Sequence, residues 1–161
     1  MIRLDGDELR EVFPATGFSR QDRLEHVIRA GALASHLEQM GTVVIASLIS
    51  PDKEARLKVR KACRNFKEVY LSTPLEICEK RDPKGLYAKA RRGEIKNMVG
   101  IHESYEVSAK TELVINTAET SEDEAVTQIL KLLPRFRFTQ DHSIVKEEKN
   151  SKWSLKISSH G

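Results

Sequence analysis

A chain of 161 residues, 39% hydrophobic and 32% charged, carries enough apolar material for one core and is too short for two independent domains with a linker. Its 8 Gly, 5 Pro and 2 Cys exclude collagen-like, disulfide-scaffold and wholly disordered classes. The formal charge of +3 is uneven, because residues 135–161 hold six Lys/Arg against three acids and carry the whole excess.

In chain order, a short apolar run at Ile2 to Leu4 is followed by the polar cluster Asp5, Gly6 and Asp7. Helical spacing then links Leu24, Val27, Ile28, Gly31 and Leu37. Thr42 to Ile49 (TVVIASLI) is a β-branched run of strand length, and Ser50-Pro51 after it reads as a helix start leading to Ala55, Val59, Ala62 and Cys63. Two more strand-like runs, Glu68 to Leu71 and Glu112 to Ile115, precede helical segments. Thr73 with Glu76, and Ser121 with Glu124, form capping-box patterns at their starts. The last periodic segment is Val126, Ile129, Leu130 and Leu133. Alternating strands and helices with continuous apolar strands predict an α/β domain whose parallel sheet is covered on both faces. That domain is expected over residues 1–134, with 135–161 a basic tail, partly disordered. Thr42 to Ile49 is far shorter than a membrane span and Met1 to Arg10 has no signal-peptide core, so the protein is expected in the cytoplasm.

In a parallel sheet, ligands bind at the carboxyl ends of the strands, where Asp5, Asp7 and Ser50 fall. Two fixed carboxylates there suit magnesium or a hydroxyl proton near a phosphate; the plain alternative is that Asp7 caps a short helix. Phe18 and Arg23 flank a helix start, a pairing suited to stacking on a base and gripping a phosphate or sulfate, or else to a hydrophobic staple beside a solvated cation. From Glu79 to Lys96 there are seven Lys/Arg against three acids, with Gly85 and Gly93 as flexible points, which reads as a lid over an anion or as a solvated helix face. Cys63 and Cys78 are expected as buried reduced thiols. The five histidines show no ligand spacing, His26 alone sharing a helix start with Arg23. No Gly-Lys dipeptide occurs, so no phosphate-binding loop of the form G-x-x-x-x-G-K-[ST] is present. The small charge excess of the tail, with Phe136, Phe138 and Trp153, is thin support for a nucleic-acid role.

Taken together, LDGDELR (Leu4 to Arg10), GFSRQDRLEHVIRAG (Gly17 to Gly31), SLISP (Ser47 to Pro51), PLEICEKRDPKGLYAKARRGEIKNMVGI (Pro74 to Ile101), Tyr105-Glu106 and ELVINT (Glu112 to Thr117) resemble the adenylyl-sulfate (APS) kinase family in order and spacing. The resemblance implies a three-layer P-loop-kinase-like fold with helices on both faces. It also implies transfer of the γ-phosphoryl of ATP, with magnesium, to the 3'-hydroxyl of adenylyl sulfate in sulfate assimilation. By the same resemblance Asp5 is the carboxylate near that hydroxyl and magnesium, and Ser50 matches the family's active-site serine. Arg10, Phe18, Arg23, His26, Lys96 and Met98 would bind adenylyl sulfate, and Arg81, Lys84 and Arg91 would serve the lid and nucleotide phosphates. A homodimer or a fused sulfate-activating domain is the partner the family suggests.

The departures matter. His26 stands where the family has Asn, Ile28 where it has Arg, Asp52-Lys53 where it has Tyr-Arg, and Met98-Val99 where it has Phe-Thr. Asp52 is expected to weaken binding of an anion unless it points away. The family's first strand and P-loop lie upstream of Asp5-Gly6-Asp7 and find no counterpart here, which implies a fold truncated at its amino end and a chain inactive or impaired by itself. The alternative is a non-catalytic adenylyl-sulfate-binding module or a fragment of a larger sulfate-activating protein. In the family that strand lies between those corresponding to Thr42 to Ile49 and Glu68 to Leu71, so unpaired backbone is expected there.

Overall fold

The computed structural model describes residues 1–13 and 17–133, and the backbone of 136–138 and 144–146. Strand β1 (Ile2–Asp5) runs directly into helix α1 (Gly6–Val12), with Asp5 as the N-cap accepting from the Asp7 amide at 2.9 Å. The helix is therefore capped by Asp5, not by Asp7 as the plain alternative had it. Helix α2 (Arg20–Gln39) starts at a full capping box, Ser19 with Asp22. Strand β2 (Val44–Ser47) leads to α3 (Lys53–Ala62), capped by Asp52 rather than by Ser50, because the Asp52 side chain accepts from the Ala55 amide.

Strand β3 (Val69–Leu71) is followed by α4 (Leu75–Arg81) and α5 (Leu86–Arg91). No capping box forms at α4. The Thr73 hydroxyl instead lies 2.7 Å from the Thr117 hydroxyl, joining the ends of β3 and β4 (Leu113–Ile115). The Ser121–Glu124 box at α6 (Glu122–Leu130) forms as expected. In the basic tail, β5 (Phe136–Phe138) pairs antiparallel with β6 (Ile144–Lys146), while the rest of 135–161, and so its expected disorder, lies outside the described residues.

All four strands of the first 133 residues pair in parallel, β1 with β2 and β3 with β4, as the α/β reading requires. They form two separate two-stranded sheets, and no ladder joins β2 to β3. Helix α2 packs on α3 and β2, and a small core gathers Leu4, Leu9 and Ala30 with Leu37, Val44 and Leu48. Where the helices touch, Gly31 is required: a Cβ there would lie 2.4 Å from Val59 Cγ2. The expected two-sided cover is incomplete, since Ile45, Ala46, Leu71 and Val114 are exposed on the strands. Among the described residues no strand pairs with the edges of β2 and β3 that face each other.

Between the two sheets lies a cavity of about 370 Å³, floored by Val27, Ala30 and Ala34 of α2 and Val59 of α3. Arg56 of α3 spans this region, donating to Glu68 Oε1 at 3.1 Å and to the Ser50 and Glu106 carbonyls, with its guanidinium over the Tyr105 ring. This buried cation ties the carboxyl end of β2 to the amino end of β3.

Candidate functional site

The parallel register sets Asp5 beside Ser47, so the carboxyl ends of β1 and β2 share one rim, as expected for neighbouring strands. On it stand Asp5, Asp7 and, three residues beyond Ser47, Ser50. Asp7 Oδ2 receives Lys84 Nζ at 2.8 Å, and this hydrogen bond and charge hold the Asp7 carboxyl below its usual range and raise Lys84 above its own. The basic segment is thereby joined to the acidic turn across 77 residues of sequence. Ser50 has φ of +40°, a left-handed backbone rare for a residue with a Cβ.

Behind this rim, α1 and the start of α2 bring three cationic or titratable groups together. Arg10 Nη1 donates to the Gly17 carbonyl at 2.7 Å, and the guanidinium lies 4.4 Å from the centre of the Phe18 ring. Phe18 is 64% exposed, so it is not a staple packed into the core; one face is presented to solvent while the other carries Arg10. Arg23 is only 7% exposed; its Nη2 lies 2.6 Å from Glu103 Oε1, but its buried Nε has no hydrogen-bond partner. His26, 3% exposed, places Nε2 3.1 Å from the Gly6 carbonyl, and its buried Nδ1 is unpartnered. Burial, reinforced by the Arg10 charge, holds the His26 imidazole below its ordinary pKa. A neutral ring donating from Nε2 leaves Nδ1 as a bare acceptor. A buried guanidinium with an unused donor beside a half-open aromatic face is suited to an anionic, ring-bearing ligand.

Other predicted residues are engaged differently. Arg81 donates to Thr117 Oγ1 and to the Thr117 carbonyl at 2.7 and 2.8 Å, and Arg91 Nε reaches Glu79 at 3.2 Å. Both cations are thus committed to neighbours within their own half of the molecule. Lys96 is exposed and Met98 half-buried in the turns after α5, and no bond links either to Arg23. Cys63 and Cys78 are free but half-buried rather than buried, and burial pushes the Cys63 thiol up. Among the described residues no cluster of three His, Cys, Asp or Glu could hold a metal ion.

Several partners escaped the sequence reading. Glu103, which pairs with Arg23, and the Arg20–Asp52–Glu106 set at 3.0 and 2.9 Å join positions up to 86 apart, a separation that leaves no local pattern. Burial works to raise the Asp52 carboxyl, but the Ala55 amide and Arg20 outweigh it and hold it low. Asp52 is accordingly turned into the fold and paired.

Parallel strands with helical crossovers, and a polar rim with buried cations at the strand ends, define an α/β domain of the class that binds ligands at the carboxyl edge of its sheet. The chain belongs to the adenylylsulphate kinase family, whose model matches residues 1–116. It is 47% identical over 133 residues to the adenylyl-sulfate kinase of Shewanella halifaxensis, covering 81% of this chain and 63% of that protein. To that of Synechococcus sp. JA-3-3Ab it is 43% identical over 138 residues, covering 85% and 78%. Among solved structures it is similar to the Mycobacterium tuberculosis APS kinase CysC in complex with AMPPNP and APS, at 39% identity and a TM-score of 0.77, with 81% of this chain and 78% of that chain covered. The chain spans less than two thirds of the Shewanella relative's length. Among the described residues no helix is long and apolar enough to cross a membrane.

Proposed function

We propose that residues 1–134 form an adenylyl-sulfate-recognising domain serving transfer of the γ-phosphoryl of ATP to the 3'-hydroxyl of adenylyl sulfate, in the cytoplasm. The observation that carries this reading is the buried, incompletely partnered Arg23 beside the Arg10–Phe18 pair. Phe18 would stack on the adenine and Arg10 and Arg23 would face the phosphosulfate, the buried cation supplying the stronger, less screened attraction. His26 would accept a hydroxyl proton of the ligand at Nδ1, in place of the family's Asn, and Met98 would cover the base with an apolar side chain. Asp5 would take the hydrogen of the attacking hydroxyl, with Ser50 and Lys96 at the margins of the same site. Lys84 would move from Asp7 to a phosphate, with Arg81 and Arg91 anchoring the segment that carries it.

The ATP–magnesium group is only half accommodated. Asp5 caps α1 and Asp7 binds Lys84, one corner of a site whose other ligands are the nucleotide's phosphates, and no Gly-Lys step offers those phosphates a loop. When bound, magnesium supplies charge neutralisation. That shortfall favours a second reading, a module that binds adenylyl sulfate without turnover. Incubating the 161-residue chain with adenylyl sulfate, magnesium and γ-labelled ATP separates the two: the module reading predicts no labelled product, and label in 3'-phosphoadenylyl sulfate contradicts it.

A further inference from the structure

The Arg23 guanidinium is 7% exposed and poorly partnered for a buried cation. Its Nη2 lies 2.6 Å from Glu103 Oε1, yet among the described residues neither Nη2 nor Nε makes a hydrogen bond. Glu103 thus offsets the charge without satisfying the donors, which a bidentate anion along the Nε–Nη2 edge would satisfy. The two contacts compete, because a carboxylate this close to Nη2 takes up the space and repels any anion arriving there. Glu103 itself sits on a turn that holds its backbone from both sides. The Met98 carbonyl accepts from the amides of Ile101, His102 and Glu103 at 3.3, 2.8 and 3.2 Å, and the Glu103 carbonyl accepts from the Gly100 amide at 2.7 Å. The Met98 amide in turn donates to His102 Nδ1 at 3.1 Å. With the backbone so fixed, the Glu103 carboxylate leaves Arg23 by rotation of its own side chain, which is 25% exposed. A second cation stands in its way out: Arg20, exposed and one turn before Arg23 on α2, is held above its ordinary range by Asp52 first, then by Glu106, with Glu103 adding to both.

We propose that Glu103 is a specificity-determining residue, an internal counter-ion that a ligand must displace from Arg23 with an anion of its own. This rests on the adenylyl-sulfate reading of the site and adds to it the part that Glu103 plays. Without ligand, Glu103 keeps a buried cation from standing unpaired, which is costly. On binding, the ligand's anion takes the Nε–Nη2 edge, and the Glu103 carboxylate swings toward Arg20 and solvent. A nucleoside that carries no anion cannot make this exchange and gains nothing from Arg23. Loss of the Glu103 charge therefore acts in two opposite directions, weakening the fold and strengthening anion binding. A glutamate that served the fold alone, or that held the ligand directly, would not strengthen binding when neutralised.

The test is a calorimetric titration of the 161-residue chain and of its Glu103→Gln variant with adenylyl sulfate and, separately, with adenosine, beside urea melts of both. Glu103→Gln keeps the shape of the side chain and removes its charge. It is expected to lower the urea midpoint, to tighten adenylyl sulfate about tenfold and to leave adenosine unchanged. Binding of adenylyl sulfate by Glu103→Gln alone also supports the proposal. Should circular dichroism show Glu103→Gln unfolded, Glu103→Asp, which keeps the charge but draws it back by one methylene, is expected to tighten adenylyl sulfate about threefold. The proposal is overturned if the parent binds adenylyl sulfate and the folded variant binds it equally or more weakly. It is also overturned if adenosine gains as much as adenylyl sulfate, or if the urea midpoint does not fall. Binding of adenylyl sulfate by neither chain overturns the reading of the site beneath it, and the proposal with that reading.

Discussion

Replacing Arg56 by Met removes the cation that holds the two sheets in place. Arg56 is 5% exposed and its partner Glu68 is 6% exposed, so the substitution strands a carboxylate out of water and also deprives the Ser50 and Glu106 carbonyls of their donor. Breaking such a buried pair from one side costs about 3 to 5 kcal/mol. Glu68 retains Arg60 Nη2 at 3.6 Å and the Thr111 hydroxyl at 3.4 Å, which places the expected loss near the lower figure. With a urea m-value of about 2 kcal/mol/M, Arg56→Met should lower the urea midpoint by about 1.5 M. Adding Glu68→Leu should recover part of it, because the stranded charge is gone. A single variant within about 0.5 kcal/mol of the parent, or a double variant less stable than the single, would refute this account of the join.

Glu112 accepts from Arg60 at 2.6 and 2.9 Å and from the Glu68 amide, and these bonds lower its pKa to about 2 from 4.5. A depressed carboxylate contributes stability that is complete above its unfolded pKa and lost as pH falls through the folded one. Stability should therefore drop between about pH 4.5 and pH 2, by about 1 to 2 kcal/mol after allowance for a side chain 24% exposed, and acid titration of Glu112→Gln should show a flatter limb there. Gly31→Ala should cost about 1 to 3 kcal/mol by driving a methyl into Val59, with Val59→Ala restoring part of it in urea melts. Phe18→Ala, at an exposed ring, should leave the urea midpoint unchanged and weaken adenylyl sulfate about threefold or more in a binding titration.

The order of strands and helices was readable because each announces itself locally, through apolar runs at β1 to β4 and the Ser121 box of α6. Local signals misled at Thr73 and Ser50, where a hydroxyl in the right sequence position found a stronger use: Thr73 bonds Thr117 across the sheet, and Asp52 outcompetes Ser50 as a charged cap. Of the site, the residues on α1 and the start of α2 were legible as a group, because Arg10, Phe18 and Arg23 lie within fourteen positions of one another and their geometry follows from two helix starts. The pairings that hold them were not. Glu103 reaches Arg23, and Lys84 reaches Asp7, through the tertiary fold, which no periodicity encodes. That β2 and β3 do not pair with each other was anticipated only through the family resemblance.

The most direct test of the account is a calorimetric titration of the folded 161-residue chain with adenylyl sulfate and, separately, with AMP. Arg10 and Arg23 facing a phosphosulfate predict saturable one-to-one binding of adenylyl sulfate that is clearly tighter than that of AMP and is weakened about tenfold by Arg23→Met. Equal affinity for the two nucleotides, or no heat with adenylyl sulfate from a chain whose circular dichroism shows it folded, would contradict it.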